Sequence, residues 1–153
     1  MTRVGITGHQ KIPDSVLPHV LSEIGNTLAS ATGEIVGLSS LAAGADQHFA
    51  RAVLEGGGRL HAIIPCEQYE SAFADENSRA AFLELMAAAS EIETLPFNRP
   101  SGQAFMEAGK RVVDLSDVML AIWNGEPAQG LGGTADVVRY ARDQGREVRI
   151  LWP

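Results

Sequence analysis

Six short apolar runs, at residues 3–7, 34–40, 59–65, 91–95, 118–123 and 147–152, punctuate this chain, and a stretch with helical apolar spacing separates each from the next. Strands that alternate with amphipathic helices bury both of their faces only in a parallel sheet covered by helices on either side. The pattern therefore predicts an α/β fold: a doubly wound, mainly parallel sheet of about six strands with helices on both faces, Rossmann-like, as a single domain over residues 1–153. After the first run, Val16, Leu17, Val20, Leu21, Ile24 and Leu28 share a helix face, with Pro18 in the first turn, where its missing N–H costs little. Phe49, Val53 and Leu54 mark the second helix, and Phe82, Leu85, Met86 and Ala89 the third, beyond a polar segment. Phe105, Ala108, Val112 and Leu115 mark a fourth; a fifth is expected from Thr134 to about Gln144, closed by Gly145.

Composition enters as a set of exclusions. The hydrophobic fraction of 45% and charged fraction of 20% are those of a globular domain. The longest stretch free of formal charge is eleven residues, 35–45, too short to span a bilayer, and no signal-peptide core opens the chain. No membrane association is expected, and Cys66, the only cysteine, leaves no internal disulfide and fits a reducing cytoplasm. Twelve basic against nineteen acidic residues give a net charge of −7, so nucleic acid is not expected as a partner.

In open parallel sheets ligands bind beyond the carboxyl ends of strands where the strand order reverses, which nominates three loops. In the first, Gly5 to Gln10, Gly8 allows close backbone approach while Thr7 and His9 offer hydrogen bonds; a plain tight turn is the alternative. In the second, Ser39, Ser40 and the following helix amides suit phosphate or ribose, and Asp46 suits a ribose hydroxyl or simple capping. The third, Gly130-Leu131-Gly132-Gly133-Thr134, presents a glycine cluster directly before a helix, the arrangement that exposes amide N–H groups to an anion, with Thr134 as N-cap or phosphate ligand. Trp123, closing the fifth run, either stacks on a base or packs as an ordinary aromatic. No P-loop, nucleophile elbow or clustered metal ligands occur, so neither a metal nor another cofactor is expected.

Four segments together resemble one known group: Gly5-Ile6-Thr7-Gly8-His9, Ser39-Ser40-Leu41-Ala42-Ala43-Gly44-Ala45-Asp46, Ser116-Asp117 and Gly132-Gly133-Thr134-Ala135-Asp136. In that order and spacing they resemble the SLOG superfamily of Rossmann-like domains, which includes the Lonely Guy phosphoribohydrolases and the DprA/Smf and YpsA-like proteins. The resemblance implies a nucleotide or nucleotide-derived ligand, a nucleoside phosphate or an NAD-derived nucleotide, with phosphate or ribose near Gly132, Gly133 and Thr134. Further contacts would come from Gly8, Ser39, Ser40, Gly44 and Asp46. Lonely Guy enzymes carry P-G-G-x-G-T-x-x-E; here Val137 stands at the glutamate position and Asp136 beside it, while their Arg-Lys pair falls on Ala108 and Gly109. DprA-like proteins have Ser-Gly-Leu-Ala-Arg-Gly-x-Asp, and Ala43 replaces the arginine, which again points away from nucleic acid.

The leading expectation is a small nucleotide-binding protein of the YpsA-like type. One alternative is a hydrolase or transferase of N-glycosidic bonds, a phosphoribohydrolase of nucleoside 5′-monophosphates, with Asp136 as nucleophile or base and Arg139 or Arg111 on phosphate. The other is a protein-interaction module without ligand, with a homodimer or higher homo-oligomer formed through a face bearing Phe105, Met106 and Val113.

Overall fold

The apolar runs become strands of a single sheet: β1 Thr2–Gly8, β2 Ile35–Ser39, β3 Arg59–Ile64, β4 Glu91–Thr94, β5 Val118–Ile122 and β6 Glu147–Ile150. This computed structural model describes residues 1–128 and 130–153; Gln129, immediately before the third nominated loop, lies outside the described residues. Every pairing is parallel, in the order β4-β3-β2-β1-β5-β6. Helices connect them: α1 Leu17–Ser30, α2 Ala45–Glu55, α3 Glu76–Ala88, α4 Gly102–Leu115 and α5 Thr134–Asp143. The sheet is doubly wound, as the alternation predicts. None of these helices is long and apolar enough to cross a membrane.

Side chains alternate across the strands and so sort the core into layers. Val4, Ile6, Leu120 and Ile122 meet Val20, Ile24, Phe49 and Val53 of α1 and α2. Leu60, Ala62 and Ile64 meet Phe82 and Leu85 of α3 on that same face of the sheet. On the opposite face, Leu38, Ile63 and Met119 are covered by Val112 and Val113 of α4 and Val137 and Ala141 of α5. This packing engages part of the face suggested for self-association. Val113 is fully buried, Met106 packs on the α4–α5 side, and Phe105 stands 6.3 Å from the Tyr69 ring.

Two details depart from the periodicity. The polar segment before α3 contains a 3₁₀ turn, Tyr69–Ala72, held by Glu67 and Gln68 N–H groups donating to the Phe97 and Asn98 carbonyls at 2.9 Å. The Ser116-Asp117 motif lies at the amino ends of the strands, away from the ligand-binding end: Asp117 accepts from Arg3 N–H at 2.8 Å and its own N–H donates to the Arg3 carbonyl at 2.8 Å. It pins β5 to β1.

Strand order reverses at β1, which pairs with β2 on one side and β5 on the other. The chain leaves β2 toward one face of the sheet and β5 toward the other, so the loops at their carboxyl ends part and leave a crevice. Its lip is set by Gly44, the N-cap of α2, with φ +83° and ψ −125°. A Cβ there would lie 2.2 Å from the Gln10 carbonyl oxygen, so both conformation and space demand glycine. Gly44→Ala is expected to destabilise the fold by about 2–4 kcal/mol. Urea denaturation checks this; a loss under about 0.5 kcal/mol would mean that the lip rearranges freely.

Candidate functional site

A cleft of about 1040 Å³ opens over the carboxyl ends of β1, β2, β3 and β5. Thr7 and Gly8 form its floor. Ser40, Ala42 and Asp46 follow β2 along one wall, Pro65, Tyr69 and Phe73 follow β3, and Trp123, Asn124 and Glu126 follow β5. Gly132 to Ala135, at the start of α5, and Phe105 of α4 complete the rim.

His9 fastens two of these walls through three hydrogen bonds. Its N–H donates to the Ile122 carbonyl (3.0 Å), its carbonyl accepts from Ala45 N–H (3.1 Å), and its Nε2 accepts from Asn124 N–H (3.0 Å). The ring also meets Trp152 edge-on, with centroids 5.5 Å apart. Gly8 is glycine for a different reason from the one its sequence context suggests. A Cβ there would come within 2.6 Å of the Ala45 side chain and 2.8 Å of Ile122 Cβ, so what approaches its backbone is the protein itself.

The loop after β2 turns through Leu41, a buried residue in the left-handed region at φ +58°. Ser39 holds that turn: its Oγ accepts from Leu41 N–H (3.0 Å) and donates to the Asp46 carbonyl (3.1 Å). Ser39 is fully buried and does not line the cleft, so of the serine pair only Ser40 reaches it. Gly44 likewise lies outside the main cleft, in a side groove with Lys11, His48 and Arg51.

Asp46 and Tyr69 are the buried polar groups of the far wall, 8% and 4% exposed. Asp46 Oδ2 accepts from Ala42 N–H at 3.4 Å; its Oδ1 and the Tyr69 hydroxyl have no partner among the described residues. No unpartnered side-chain oxygen or nitrogen is sealed from solvent there, so both atoms open to the cleft they line. Burial raises the Asp46 carboxyl to about 7, against the smaller lowering effect of the Ala42 hydrogen bond. Burial also raises the Tyr69 phenol well above its ordinary range, reinforced by the Asp46 charge. Sequence reasoning passed over Tyr69, because its segment reads as polar; the available signal was Tyr69 and Phe73, four residues apart just beyond a strand.

At the opposite rim, α5 starts at Thr134 with Gly133 as N-cap and no side-chain cap. Thr134 and Ala135 line the cleft, and their N–H groups have no acceptor among the described residues. Gly132 is required by packing: its φ is +88°, and a Cβ would lie 2.9 Å from the Gly102 carbonyl oxygen and from Met106 N. Asp136 turns back to accept from Gly132 N–H at 3.2 Å, which closes the loop and places a carboxylate beside the helix's positive end.

The residues nominated for glycosidic chemistry do not converge in the cleft. Asp136 is engaged with Gly132, Arg139 is exposed outside the lining, and Arg111 grips Glu93 of β4 through two hydrogen bonds of 2.8 and 3.0 Å. Trp123 does line the cleft, but its indole N–H is already donated to the Glu126 carbonyl at 2.8 Å. Cys66 is a buried thiol in the α3-side core.

No known family profile and no curated protein matches the chain. Among solved structures, DNA processing protein A (DprA) from Streptococcus pneumoniae superposes with a TM-score of 0.72 at 18% identity, over 98% of this chain and 50% of that one. DNA processing protein A from Helicobacter pylori, described by its unique single-stranded DNA binding mode, gives 0.70 at 17% identity, over 97% of this chain and 64% of that one. The X-ray structure of TM1055, a structural genomics target, gives 0.61 at 21% identity, over 97% and 72%. The chain thus spans only part of the two DprA proteins. These likenesses are of fold, and the fold is the Rossmann-like one expected from the SLOG resemblance. They also correct the exclusion of nucleic acid, since the Helicobacter pylori protein binds single-stranded DNA with this fold. A net charge is an average over the whole surface and does not report local groups such as Lys11 and Arg51, which line the side groove.

Asp46 yields a stability prediction. The folded carboxyl keeps its proton to about pH 7, while an unfolded aspartate releases it near 3.8. Folding therefore takes up a proton between these values, and stability falls as pH rises through that window. Asp46→Asn removes the titration, so its stability relative to the parent should climb between pH 4 and 7 by up to about 4 kcal/mol, at about 1.4 kcal/mol per unit. Urea melts across that range test it; parallel pH profiles would show that Asp46 is ionised throughout.

Proposed function

We propose that this chain, a Rossmann-like domain of the SLOG type by fold, binds a nucleotide in the cleft, with a phosphate on the amino end of α5. The observation that carries this reading is the pairing of Thr134 and Ala135 N–H groups, which have no acceptor among the described residues, with a cleft at the strand-order reversal. Lys11 is the only lysine or arginine among the described lining residues. Backbone amides and the helix dipole therefore supply most of the attraction for an anion, which suits one phosphate group better than a polyphosphate. Thr134 adds a hydroxyl, and Ser40 and Thr7 are further donors within the same cleft.

Two sources carry this chemistry: a free nucleotide, and a nucleotide unit within a single strand, the ligand class of the Helicobacter pylori protein of the same fold. The side groove supports the second source, because Lys11, Gln10 and Asp75 line both it and the cleft, while Arg51 lies further along it.

Thr134→Pro tests the phosphate site. Gly133 has ψ 171°, which tolerates a following proline, and proline at the first helical position leaves the helix intact while deleting one N–H and the hydroxyl. Calorimetric titration should find a nucleoside 5′-monophosphate binding about tenfold or more tightly than its nucleoside. The variant should lose that advantage at unchanged melting temperature. Equal binding of nucleoside and monophosphate by the parent protein would overturn the reading. A short oligodeoxythymidylate that binds more tightly than any monophosphate, with affinity falling steeply with salt, would assign the nucleotide to a strand.

A further inference from the structure

We propose that Asp46 and Tyr69, framed by Phe73 and Phe105, hold the nucleobase of the bound nucleotide by its hydrogen-bonding edge. The inference rests on the nucleotide-binding reading above and specifies which end of the cleft takes which part of the ligand.

Three observations carry it. First, Asp46 Oδ1 and the Tyr69 hydroxyl belong to side chains more than nine-tenths buried, have no partner among the described residues, and open into the cleft. These atoms reach solvent only through the cleft, so a ligand or ordered water in the cleft is what completes their hydrogen bonding. Asp46 offers an acceptor and Tyr69 either a donor or an acceptor, which matches the N–H beside a ring nitrogen or carbonyl on a base edge.

Second, the surrounding surface is aromatic and rigid. The Tyr69 ring is held edge-on by Phe73 (5.3 Å) and Phe82 (5.4 Å), and Phe73 stacks on Phe82 at 4.9 Å. Arg79 anchors the 3₁₀ turn through Glu70 at 2.6 Å. Flat apolar walls favour a planar ring over a sugar or a phosphate, and a fixed phenol sets the direction of its hydrogen bond in advance.

Third, charge orients the ligand. Burial around Asp46 and Tyr69 disfavours a phosphate there, since an added negative charge would go uncompensated, whereas the start of α5 attracts it. Phe105 stands between the two: its Cβ lies 2.9 Å from where a Gly132 side chain would begin, and its ring lies 6.3 Å from that of Tyr69. Phosphate and base thus have separate places along one wall. Trp123, on the other wall, is closed within its own loop, where Glu126 N–H also donates to Asn124 Oδ1 at 3.0 Å.

The test is calorimetric titration of the full chain with ribose 5-phosphate and with the four common nucleoside 5′-monophosphates. At least one monophosphate should bind about tenfold or more tightly than ribose 5-phosphate. Tyr69→Phe should cut that ratio by about fivefold or more while leaving ribose 5-phosphate affinity unchanged, and Trp123→Leu should leave the ratio alone. If Tyr69→Phe lowers the melting temperature, Asp46→Asn reads the same ratio. Ribose 5-phosphate binding as tightly as every monophosphate, a ratio unmoved by Tyr69→Phe and Asp46→Asn, equal losses for both ligand types, or a ratio lost only in Trp123→Leu would each overturn this assignment while leaving phosphate binding standing. Absence of binding by all five probes would overturn both readings.

Discussion

The position of β1 between β2 and β5 is the constraint on which everything else in this structure depends. Parallel pairing on both sides fixes where the carboxyl ends of three strands emerge, and the reversal of order there puts α1 to α3 on one face and α4 and α5 on the other. A cleft at that point is a consequence of connectivity. Its width is then held by one residue, His9, whose backbone bonds to β5 and to α2 and whose ring bonds to the loop after β5. Gly44 lets α2 begin against the Gln10 backbone, and Asp117 holds the opposite ends of β1 and β5 together. The scaffold is rigid where the ligand-facing groups need it to be.

Within this frame the electrostatics are divided rather than uniformly basic. The α5 amino end is favourable to negative charge, moderated by the Asp136 carboxylate that closes its loop. The Asp46 and Tyr69 end is unfavourable to it and is built of groups that burial keeps protonated more readily than in water. A polar ligand with one anionic end and one planar, neutral end is the shape that both ends satisfy. The same division explains why a net charge of −7 says little about the cleft: exposed acidic residues such as Glu55, Glu84 and Asp143 lie outside its lining.

Much of the fold was legible in the chain. The strands lie within one or two residues of the apolar runs; the four central ones are sharply marked because they are buried on both faces, whereas β4 and β6 are exposed edge strands with polar positions. The helices follow the apolar stripes at Val20, Ile24 and Leu28 or Ala108 and Val112 for the complementary reason, that one face alone is buried. The site was legible only in part. The loops at the strand ends and the α5 amino end could be nominated from glycines and small residues, and the structure brings Gly8, His9, Ser40, Asp46, Trp123 and Gly132 to Thr134 to one cleft. Ser39 and Gly44 share that composition yet serve the turn and the lip, because small residues are required equally where backbones pack and where ligands approach. Tyr69 was legible only through its spacing from Phe73, since a short 3₁₀ turn lacks the periodicity of a helix or a strand.

By itself the amino-acid sequence determined the class of fold, the number and approximate limits of its strands, and the end of the sheet at which the small-residue loops gather. These follow from local periodicity and from the handedness of parallel connections, which act residue by residue and crossover by crossover. Tertiary structure alone decided which side chains face the cleft and in what state. Arg111 is spent on Glu93, Asp136 on Gly132, and Asp46 is buried far enough to hold its proton near neutrality beside a phenol twenty-three positions away. Such outcomes depend on solvent exclusion and on distances between segments remote in sequence, and neither quantity is written in any local pattern of residues.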